Sequence, residues 1–503
     1  MTMFDPVGRQ LYFDGDFHES RSAGTIDVVN PATEEQFGRV ADVDADEVER
    51  VVMRANEAQV DWADTDPMTR AAYLHDVADH IEATDFEAAA KLMTREHGKP
   101  FPDAEGELAN VAPVFRYFAE LARHDGGSVP GSTQSESFQF AKHFPYGVSV
   151  HIVPSNFPVL LMCWTVAASL AVGNAAMVKP SEQTPLSTLR FMQHFESLPD
   201  SLVACVTGRG ETAQALIQSS GTDAVAFTGG VETGRKVASA SAEQLKPSVI
   251  EAGGNDPMIV TENAPMEVAV AGSATAAFHL SGQVCTSSER LYVHEAVHDQ
   301  FVDGLVEMAT SLRVGNGLGA SEIGPLVSEA ARDNVARLVD EAVDAGASVA
   351  CGGRVPPDRE TGWFYEPTVL TGVTPGMAVS REEVFGPVAP VCEVASLDEA
   401  LELANDTAYG LGSSVFTTDL AEAMRSYETL ESGMVWVNNP MIDNDAIPFG
   451  GWKNSGVGRE LGKQGLDAFR QTKMGVVDWN PKKHDWWFLY PEEWFYEAGA
   501  QRF

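Results

Sequence analysis

One cysteine stands in a stretch whose composition suggests chemistry. The segment "SGQVCTSSER" (281–290) places Cys285 among small and polar residues, close to a glycine. A cysteine in such a setting can be a packed apolar group, half of a disulfide, a metal ligand or a nucleophile. The five cysteines are widely spaced, form no CxxC pair and accompany 12 histidines without metal-ligand spacing. This pattern argues against a disulfide framework and predicts no metal site, which leaves packing and nucleophilic attack as alternatives.

Two further residues could assist a nucleophile. Asn156 lies between prolines in "HIVPSNFPVLL" (151–161), at a predicted strand-to-helix junction. Its carboxamide could donate to an oxyanion, although an asparagine that only turns the chain is the alternative. Glu251 ends an apolar strand in "VIEAGGNDP" (249–257). A buried carboxyl group has a raised pKa and can act as a general base, but a salt bridge would also explain it.

A possible dinucleotide site follows other strands. In "AFTGGVETGRKV" (226–237), closely spaced glycines join a predicted strand to a helix. Such a turn leaves backbone N–H groups for a pyrophosphate, although a plain tight turn is an equal alternative. Lys179 and Glu182 follow the preceding parallel strand, where an acid can accept from a ribose hydroxyl, unless they form a surface salt bridge. Glu182 would repel a 2′-phosphate, so we expect NAD, with NADP possible.

The elements that must position these residues alternate between β-rich and helical segments from 147 to 251. The spacing predicts a doubly wound parallel sheet, with amphipathic helices at 46–63 and 66–97 and a second α/β unit at about 254–445. The apolar run 159–178 contains Gly173-Asn174 and therefore predicts helix, turn and strand rather than a membrane span. A helix over 266–282 is expected to lead directly into Cys285. The predicted strands are 147–153, 175–180, 202–208, 224–230 and 247–253.

The charge balance restricts the partners. The chain has 34 basic and 73 acidic residues, a net charge of −39, which disfavours nucleic acid and anionic membranes as partners. The dispersed carboxylates suggest a surface adapted to concentrated salt. The start of the chain lacks a signal-peptide pattern, and the cysteine usage fits a reducing cytoplasm.

Taken together, the motifs resemble the aldehyde dehydrogenase superfamily over about residues 10–480. The matching segments include "VPSNFP", "VIEAGGNDP", "SGQVCTSSER", "REEVFGPV" (381–388) and "PFGGWKNSGVGRELG" (448–462), in the family's order. The resemblance implies an α/β fold with a Rossmann-like NAD-binding domain (1–126 and 147–253) and a catalytic domain (254–455). It also implies a small β oligomerisation arm with the C-terminal tail (127–146 and 472–503), hence a homodimer or homotetramer. The aromatic tail 484–503 is expected to dock on the body or on a neighbouring subunit.

The resemblance also implies roles for individual residues. Cys285 would be the nucleophile, Asn156 the oxyanion donor, Glu251 the general base and Glu460 a second acid in proton relay. Since an ordinary thiol with a pKa of about 8.5 is only about 3% ionised at neutral pH, we expect a base or a helix dipole near Cys285. The cofactor would be held by Lys179, Glu182, Gly229, Gly230, Gly234, Glu383 and Phe385, and the substrate tunnel would be lined by Phe157, Leu161, Trp164, Val284 and Thr286.

The expected reaction is oxidation of an aldehyde to a carboxylic acid through a cysteine thiohemiacetal and thioester hydrolysis. Two positions depart from the commonest pattern: Ser155 stands in place of a Trp beside Asn156, and Gly230 stands in place of a Ser that often contacts the pyrophosphate. The apolar tunnel without arginine favours a small or medium aliphatic or aromatic aldehyde over a dicarboxylic semialdehyde. The alternatives are a CoA-acylating or semialdehyde-specific dehydrogenase, a cofactor-free cysteine hydrolase and a non-catalytic binding protein.

Overall fold

Two large sheets organise the chain. The computed structural model describes residues 3–484, 486–490 and 494. Five parallel strands form the centre of the first sheet, and short antiparallel strands close both of its edges. In spatial order its strands are Gly456–Val457, Ser248–Ala252, Ala224–Gly229, Val148–Ile152, Ala175–Lys179, Val203–Cys205, Gln10–Phe13 and Asp16–Glu19.

The strand order of the first sheet reverses between Val148–Ile152 and Ala224–Gly229. From the former the chain proceeds outward through the next two parallel strands, and it then returns to add strands on the other side. Such a switch point opens a crevice at the carboxyl ends of the strands, where open α/β sheets bind their ligands. The bounds of the five parallel strands confirm all five strands predicted for this sheet, each within a few residues of its predicted ends.

The second sheet is parallel except for one edge strand. Its spatial order is Ser348–Cys351, Thr368–Thr371, Val388–Val394, Ser288–His294, Asp256–Val260, Gly412–Phe416 and Met434–Val437. A three-stranded antiparallel arm pairs Arg470–Asp478 with Ser137–Pro145 and then Gly127–Ser128. Gly24–Asn30 and Glu35–Asp42 form a separate hairpin. The α/β architecture with its β arm is as predicted, while the exact domain boundaries stay a prediction.

The helices cover these sheets with apolar faces. Ala45–Asp64, for example, begins at Asp44, whose side chain accepts from the Glu47 N–H, and buries Val48, Val51 and Trp62. The other α-helices are Pro67–Glu82, Glu87–His97, Phe101–Ala109, Val111–His124, Leu160–Val172, Pro185–Phe191, Gly210–Gln218, Val231–Glu243, Met266–Phe278, His298–Ser311, Glu329–Asp344, Leu397–Asn405, Leu420–Thr429 and Gly462–Asp467. Shorter 3₁₀ turns are Met192–Phe195, His279–Gly282, Ala378–Ser380 and Lys453–Ser455.

Three expectations about helices can be compared with this arrangement. The apolar run is a helix, Leu160–Val172, that ends at Gly173 with φ 105° before a strand begins. The segment 66–97 is two helices, because the Asp85 side chain accepts from the Glu87 N–H and starts a new helix there. In the described part of the chain, every helix is too short or too polar to span a bilayer.

The aromatic tail does not pack on the body where the structure describes it. Trp486, Phe488 and Leu489 are 58%, 81% and 86% exposed. Among the described residues, no part of the body covers these side chains, so docking on a neighbouring subunit is the alternative that stays a prediction for them. Residues 485, 491–493 and 495–503, on which the same expectation falls, lie outside the described residues.

Candidate active site

A strained turn at residues 280–282 precedes Cys285 and positions it at the junction of the two sheets. The expected helix over 266–282 ends at Phe278, and Leu280, Ser281 and Gly282 follow with φ of 50°, 59° and 73°. Three consecutive left-handed residues are costly and persist only when their surroundings fix them. The Ser281 hydroxyl donates to the Gly324 carbonyl at 2.9 Å. A Cβ on Gly282 would lie 2.0 Å from the Gly386 carbonyl oxygen, so only glycine fits there.

Cys285 is half-buried and lines a cleft with a volume of about 630 Å³. Burial raises the pKa of its thiol well above the usual range, and the neighbouring Glu251 carboxyl raises it further. The loop that carries Cys285 follows a 3₁₀ turn and precedes a strand, so the sulfur does not lie at a helix N-terminus. Of the two expected aids to ionisation, the structure supplies the base and not the helix dipole. The free protein therefore holds a neutral thiol.

Glu251 lies beside this thiol in the cleft wall and is 2% exposed. Burial raises its pKa to about 7, and the interaction with the Cys285 thiol lowers it slightly. Although the thiol influences the carboxyl group, neither carboxyl oxygen has a partner of hydrogen-bond geometry among the described residues. The salt-bridge alternative is thus not realised, and the group is available to exchange protons at neutral pH.

Glu460 lies behind Glu251, outside the cleft wall. The Thr228 hydroxyl donates to its Oε1 at 3.0 Å, and Thr228 is the register neighbour of Glu251 in the adjacent strand. Two backbone hydrogen bonds with Phe449 fix its position. Burial and, to a smaller extent, the charge of Glu251 together raise the pKa of Glu460 to about 8. The two carboxyl groups therefore titrate close together and close to neutral pH.

Asn156 is buried in the same cleft. Its Nδ2 donates to the Gln283 carbonyl at 3.0 Å, and its Oδ1 accepts from the Phe157 N–H at 3.1 Å. An amide nitrogen carries two N–H groups, so one donor remains for an oxygen that acquires negative charge near Cys285. The hydrogen bond between Asn156 and Gln283 connects the loop of Asn156 to the loop of Cys285, two residues before the cysteine.

The cofactor half of the cleft has the features that an NAD molecule requires. The helix Val231–Glu243 begins at Gly230 without a side-chain cap, which leaves its first N–H groups for a pyrophosphate. No atom lies within 4 Å of the position that a Cβ on Gly230 would occupy, so the absence of the usual serine side chain leaves open space at this turn. Lys179 and Glu182 line the same wall, with Nζ and Oε2 3.7 Å apart, and Gly229 lies beside the helix start.

A second loop reaches the cleft from the other sheet. Glu383 and Phe385 line it, and a Cβ on Gly253 would lie 2.2 Å from both Glu383 carboxyl oxygens. Glu289 holds this loop, because its carboxylate accepts from the N–H groups of Val384 at 2.8 Å and Phe385 at 2.7 Å. Burial raises the pKa of Glu383 well above its usual range.

Five further residues of the sequence-based prediction, besides Glu460, lie outside the cleft wall. Gly234 lies inside the helix, where a Cβ would approach the Ile250 side chain to 3.1 Å, so it allows close helix–sheet packing rather than lining the cleft. Of the predicted tunnel residues only Leu161 contributes to the wall. Trp164 packs edge-on against Phe449 with ring centroids 5.0 Å apart. The remaining three are Phe157, which is half-buried, and Val284 and Thr286, which are buried on either side of Cys285.

The structure also brings in residues that the sequence prediction missed. The charge of Asp443 contributes to the raised pKa of the Cys285 thiol, and Asp445 in turn raises the pKa of Asp443. Both precede the "PFGG" segment, and their spacing of two residues was the only signal in the sequence. Lys99 and Glu107 lie behind Asn156 as a buried ion pair. Their separation from Asn156 in the sequence left no signal to connect them.

Comparisons with known proteins agree with this geometry. Residues 17–474 match the model of the aldehyde dehydrogenase family. The betaine aldehyde dehydrogenase of Bacillus subtilis is 35% identical over 94% of this chain and 99% of its own length. A peroxisomal aminoaldehyde dehydrogenase of Malus domestica is 37% identical over 93% and 95%. The crystal structure of betaine aldehyde dehydrogenase from Staphylococcus aureus with NAD⁺ superposes with a TM-score of 0.92 at 33% identity, covering 96% and 97%.

The chain therefore belongs to the aldehyde dehydrogenase family. It is an NAD-dependent oxidoreductase that converts an aldehyde and water to the carboxylic acid, with transfer of a hydride to NAD⁺. The predicted class of enzyme and the predicted cofactor are confirmed.

Proposed function

We propose that Cys285 is the nucleophile of this reaction, with Glu251 as its base and Asn156 as the donor to the oxyanion. The observation that carries the proposal is one cleft lined by all three side chains, continuous with the uncapped helix start at Gly230. A cofactor-free hydrolase would need a histidine beside the sulfur, and the cleft wall contains none.

The first step is proton transfer from Cys285 to Glu251. Because burial raises the pKa of both groups, the free protein keeps the proton on sulfur and protects the thiol. As Sγ bonds to the aldehyde carbon, the Glu251 carboxylate takes the thiol proton and the carbonyl oxygen becomes negative. The free Nδ2–H of Asn156 and the Cys285 backbone N–H would stabilise this oxygen, each by roughly 2.7–4 kcal/mol in comparable sites.

The second step resolves the product that remains on the sulfur. When bound, NAD supplies the acceptor for the hydride that leaves the thiohemiacetal carbon, and a thioester on Sγ remains. Once Glu251 has released the thiol proton, it removes a proton from water, the water oxygen bonds to the thioester carbon, and the C–S bond breaks. The Cys285 thiolate that leaves takes this proton back from Glu251. The thiol proton that Glu251 releases passes toward Glu460, whose pKa of about 8 lies close to that of Glu251. Water rather than coenzyme A resolves the thioester, because a base of suitable pKa lies beside it.

We further propose that the preferred aldehyde carries a positive charge. Asp443 is solvent-exposed, and the protein around it raises its pKa to about 6. Its charge acts on Cys285, and that of Asp445 acts on the half-buried Tyr117. Neither aspartate forms an ion pair with any residue that the structure describes. Two uncompensated carboxylates and an aromatic ring favour an ammonium group and repel a second carboxylate.

The names of the relatives point in the same direction. Several are betaine aldehyde or aminoaldehyde dehydrogenases, and both of those substrate names denote nitrogen-bearing aldehydes. The expected preference for a small or medium aliphatic or aromatic aldehyde over a dicarboxylic semialdehyde is narrowed here to a cationic aliphatic aldehyde. The comparison of a trimethylammonium aldehyde with its neutral tert-butyl isostere, described below, tests this proposal.

The assembly is proposed to be a homodimer or homotetramer built on the β arm. The edge strand Arg470–Asp478 exposes Met474 at 78%, and Val476 and Val477 lie beside it. An exposed apolar edge strand is a template for pairing with another chain. A sedimentation experiment that finds only monomers at micromolar concentration would contradict this proposal.

A further inference from the structure

The loop that carries Asn156 rests on a buried ion pair. Lys99 is 1% exposed and lies between two helices, Glu87–His97 and Phe101–Ala109. Its Nζ lies 2.6 Å from Glu107 Oε2 and also donates to the backbone carbonyl of Asn156. Both charged side chains are completely shielded from solvent, with 0% of each exposed.

The partner carboxylate holds the other end of the same loop. Glu107 Oε1 accepts from the N–H of Val159 at 2.8 Å and from that of Leu160 at 3.1 Å. These N–H groups belong to the start of the helix Leu160–Val172, which has no side-chain cap of its own. The ion pair therefore spans the loop from Asn156 to Leu160 and fixes both of its ends.

A third contact fixes the residue after Asn156. The Lys99 ammonium lies 4.6 Å from the centroid of the Phe157 ring, within the range of a cation–π interaction. The Phe157 N–H in turn donates to Asn156 Oδ1, which orients the carboxamide. Lys99 thus acts on the backbone oxygen of Asn156 directly and on its side chain through Phe157.

We propose that Lys99 and Glu107 are positioning residues for the oxyanion donor. A buried ion pair is a weak source of stability, because desolvation offsets much of the attraction. Its geometric effect is stronger, since an oxyanion donor must be held within about 0.5 Å of the position from which it can hydrogen-bond to the developing charge. This inference rests on the proposed role of Asn156 and assigns its orientation to two side chains that do not touch the substrate.

The test is a double-mutant cycle between the ion pair and Asn156. Single substitutions would leave a buried charge without a partner, so Lys99→Met and Glu107→Gln are combined in one variant. The glutamine oxygen can still accept from Val159 and Leu160. The measurement is the single-turnover rate of NADH formation with saturating NAD, together with the dissociation constant of NAD from fluorescence quenching and the thermal midpoint of unfolding.

We expect the paired variant to slow the single-turnover rate roughly ten- to hundredfold, as for a misplaced catalytic group, and to leave NAD binding unchanged. In an Asn156→Ala background, the same pair of substitutions should change the rate by less than about twofold, because the donor that it positions is gone. Lys246→Met is the matched control. Lys246 donates to the Ile217 and Ser219 carbonyls outside the cleft, so its loss should lower stability without slowing the burst.

Two outcomes would overturn the inference, and a third would overturn the proposed function instead. An unchanged single-turnover rate in a folded paired variant would show that the ion pair does not position the donor. Equal slowing in the wild-type and Asn156→Ala backgrounds would show that it acts elsewhere. If Asn156→Ala alone leaves the rate unchanged, the oxyanion role of Asn156 itself fails.

Discussion

The carboxyl group of Glu251 lies beside the thiol of Cys285, and the charge of the acid opposes ionisation of the thiol. Burial raises the pKa of the acid to about 7 and keeps the thiol neutral in the free protein. At neutral pH the thiol therefore keeps its proton while the carboxyl group is partly ionised, so the nucleophile is held in its unreactive form beside a base. The arrangement makes the reactivity of the sulfur depend on the arrival of an aldehyde.

Replacement of Glu251 by glutamine tests its two duties. Glu251→Gln retains the shape of the side chain but cannot take a proton, so thioester hydrolysis should slow by about a hundredfold or more. The initial burst of NADH should slow as well in stopped-flow traces, because the first step passes the thiol proton to the same carboxylate. A burst at the wild-type rate in this variant would show that the thiol loses its proton without Glu251.

The pH dependence of hydrolysis should report the same carboxyl group. Because the pKa of Glu251 is raised to about 7, the group is mostly protonated below that pH and cannot act as a base. The steady-state rate should therefore rise as pH increases through about 7 and then level off. The rate in Glu251→Gln should lack this inflection, and an unaltered inflection in that variant would assign the titration to another group.

The negative charge of Asp443 predicts that the enzyme prefers a cationic aldehyde to a neutral one. A trimethylammonium aldehyde should have a higher kcat/KM than tert-butylacetaldehyde, its neutral isostere, and Asp443→Asn should reduce this ratio roughly fivefold. The preference should also weaken as pH falls through about 6, where Asp443 takes up a proton. Asp344→Asn, at an exposed helix end, is the control and should change nothing. Equal kcat/KM values for the two aldehydes in the wild type would refute the proposed cationic preference.

The sequence was informative where chemistry and local pattern coincide. Glu251 and Asn156 each end or follow an apolar strand, and strands of one parallel sheet bring such positions to one edge. The path of the chain into Cys285 could not be predicted, since the left-handed conformations of Leu280 and Ser281 depend on contacts with distant segments. The same holds for Lys99, whose partners are fixed by tertiary packing alone.

The acidic composition predicts salt-dependent stability. A net charge of −39 destabilises the compact state through self-repulsion at low ionic strength, and salt screens this repulsion. The thermal midpoint of unfolding should therefore rise as potassium chloride is raised from about 0.1 M to about 1 M, over which the screening length falls from about 10 Å to about 3 Å. A constant or falling midpoint over that range would contradict the interpretation of the surface.

The most direct test of the proposed mechanism is the Cys285→Ala variant, assayed for NADH formation and for NAD binding on the same sample. The account predicts that both the burst and the steady-state oxidation of aldehyde disappear, while the dissociation constant of NAD stays within about twofold of wild type, because the sulfur makes the covalent bond and the other end of the cleft holds the cofactor. Aldehyde oxidation at a near wild-type rate in this variant would contradict it.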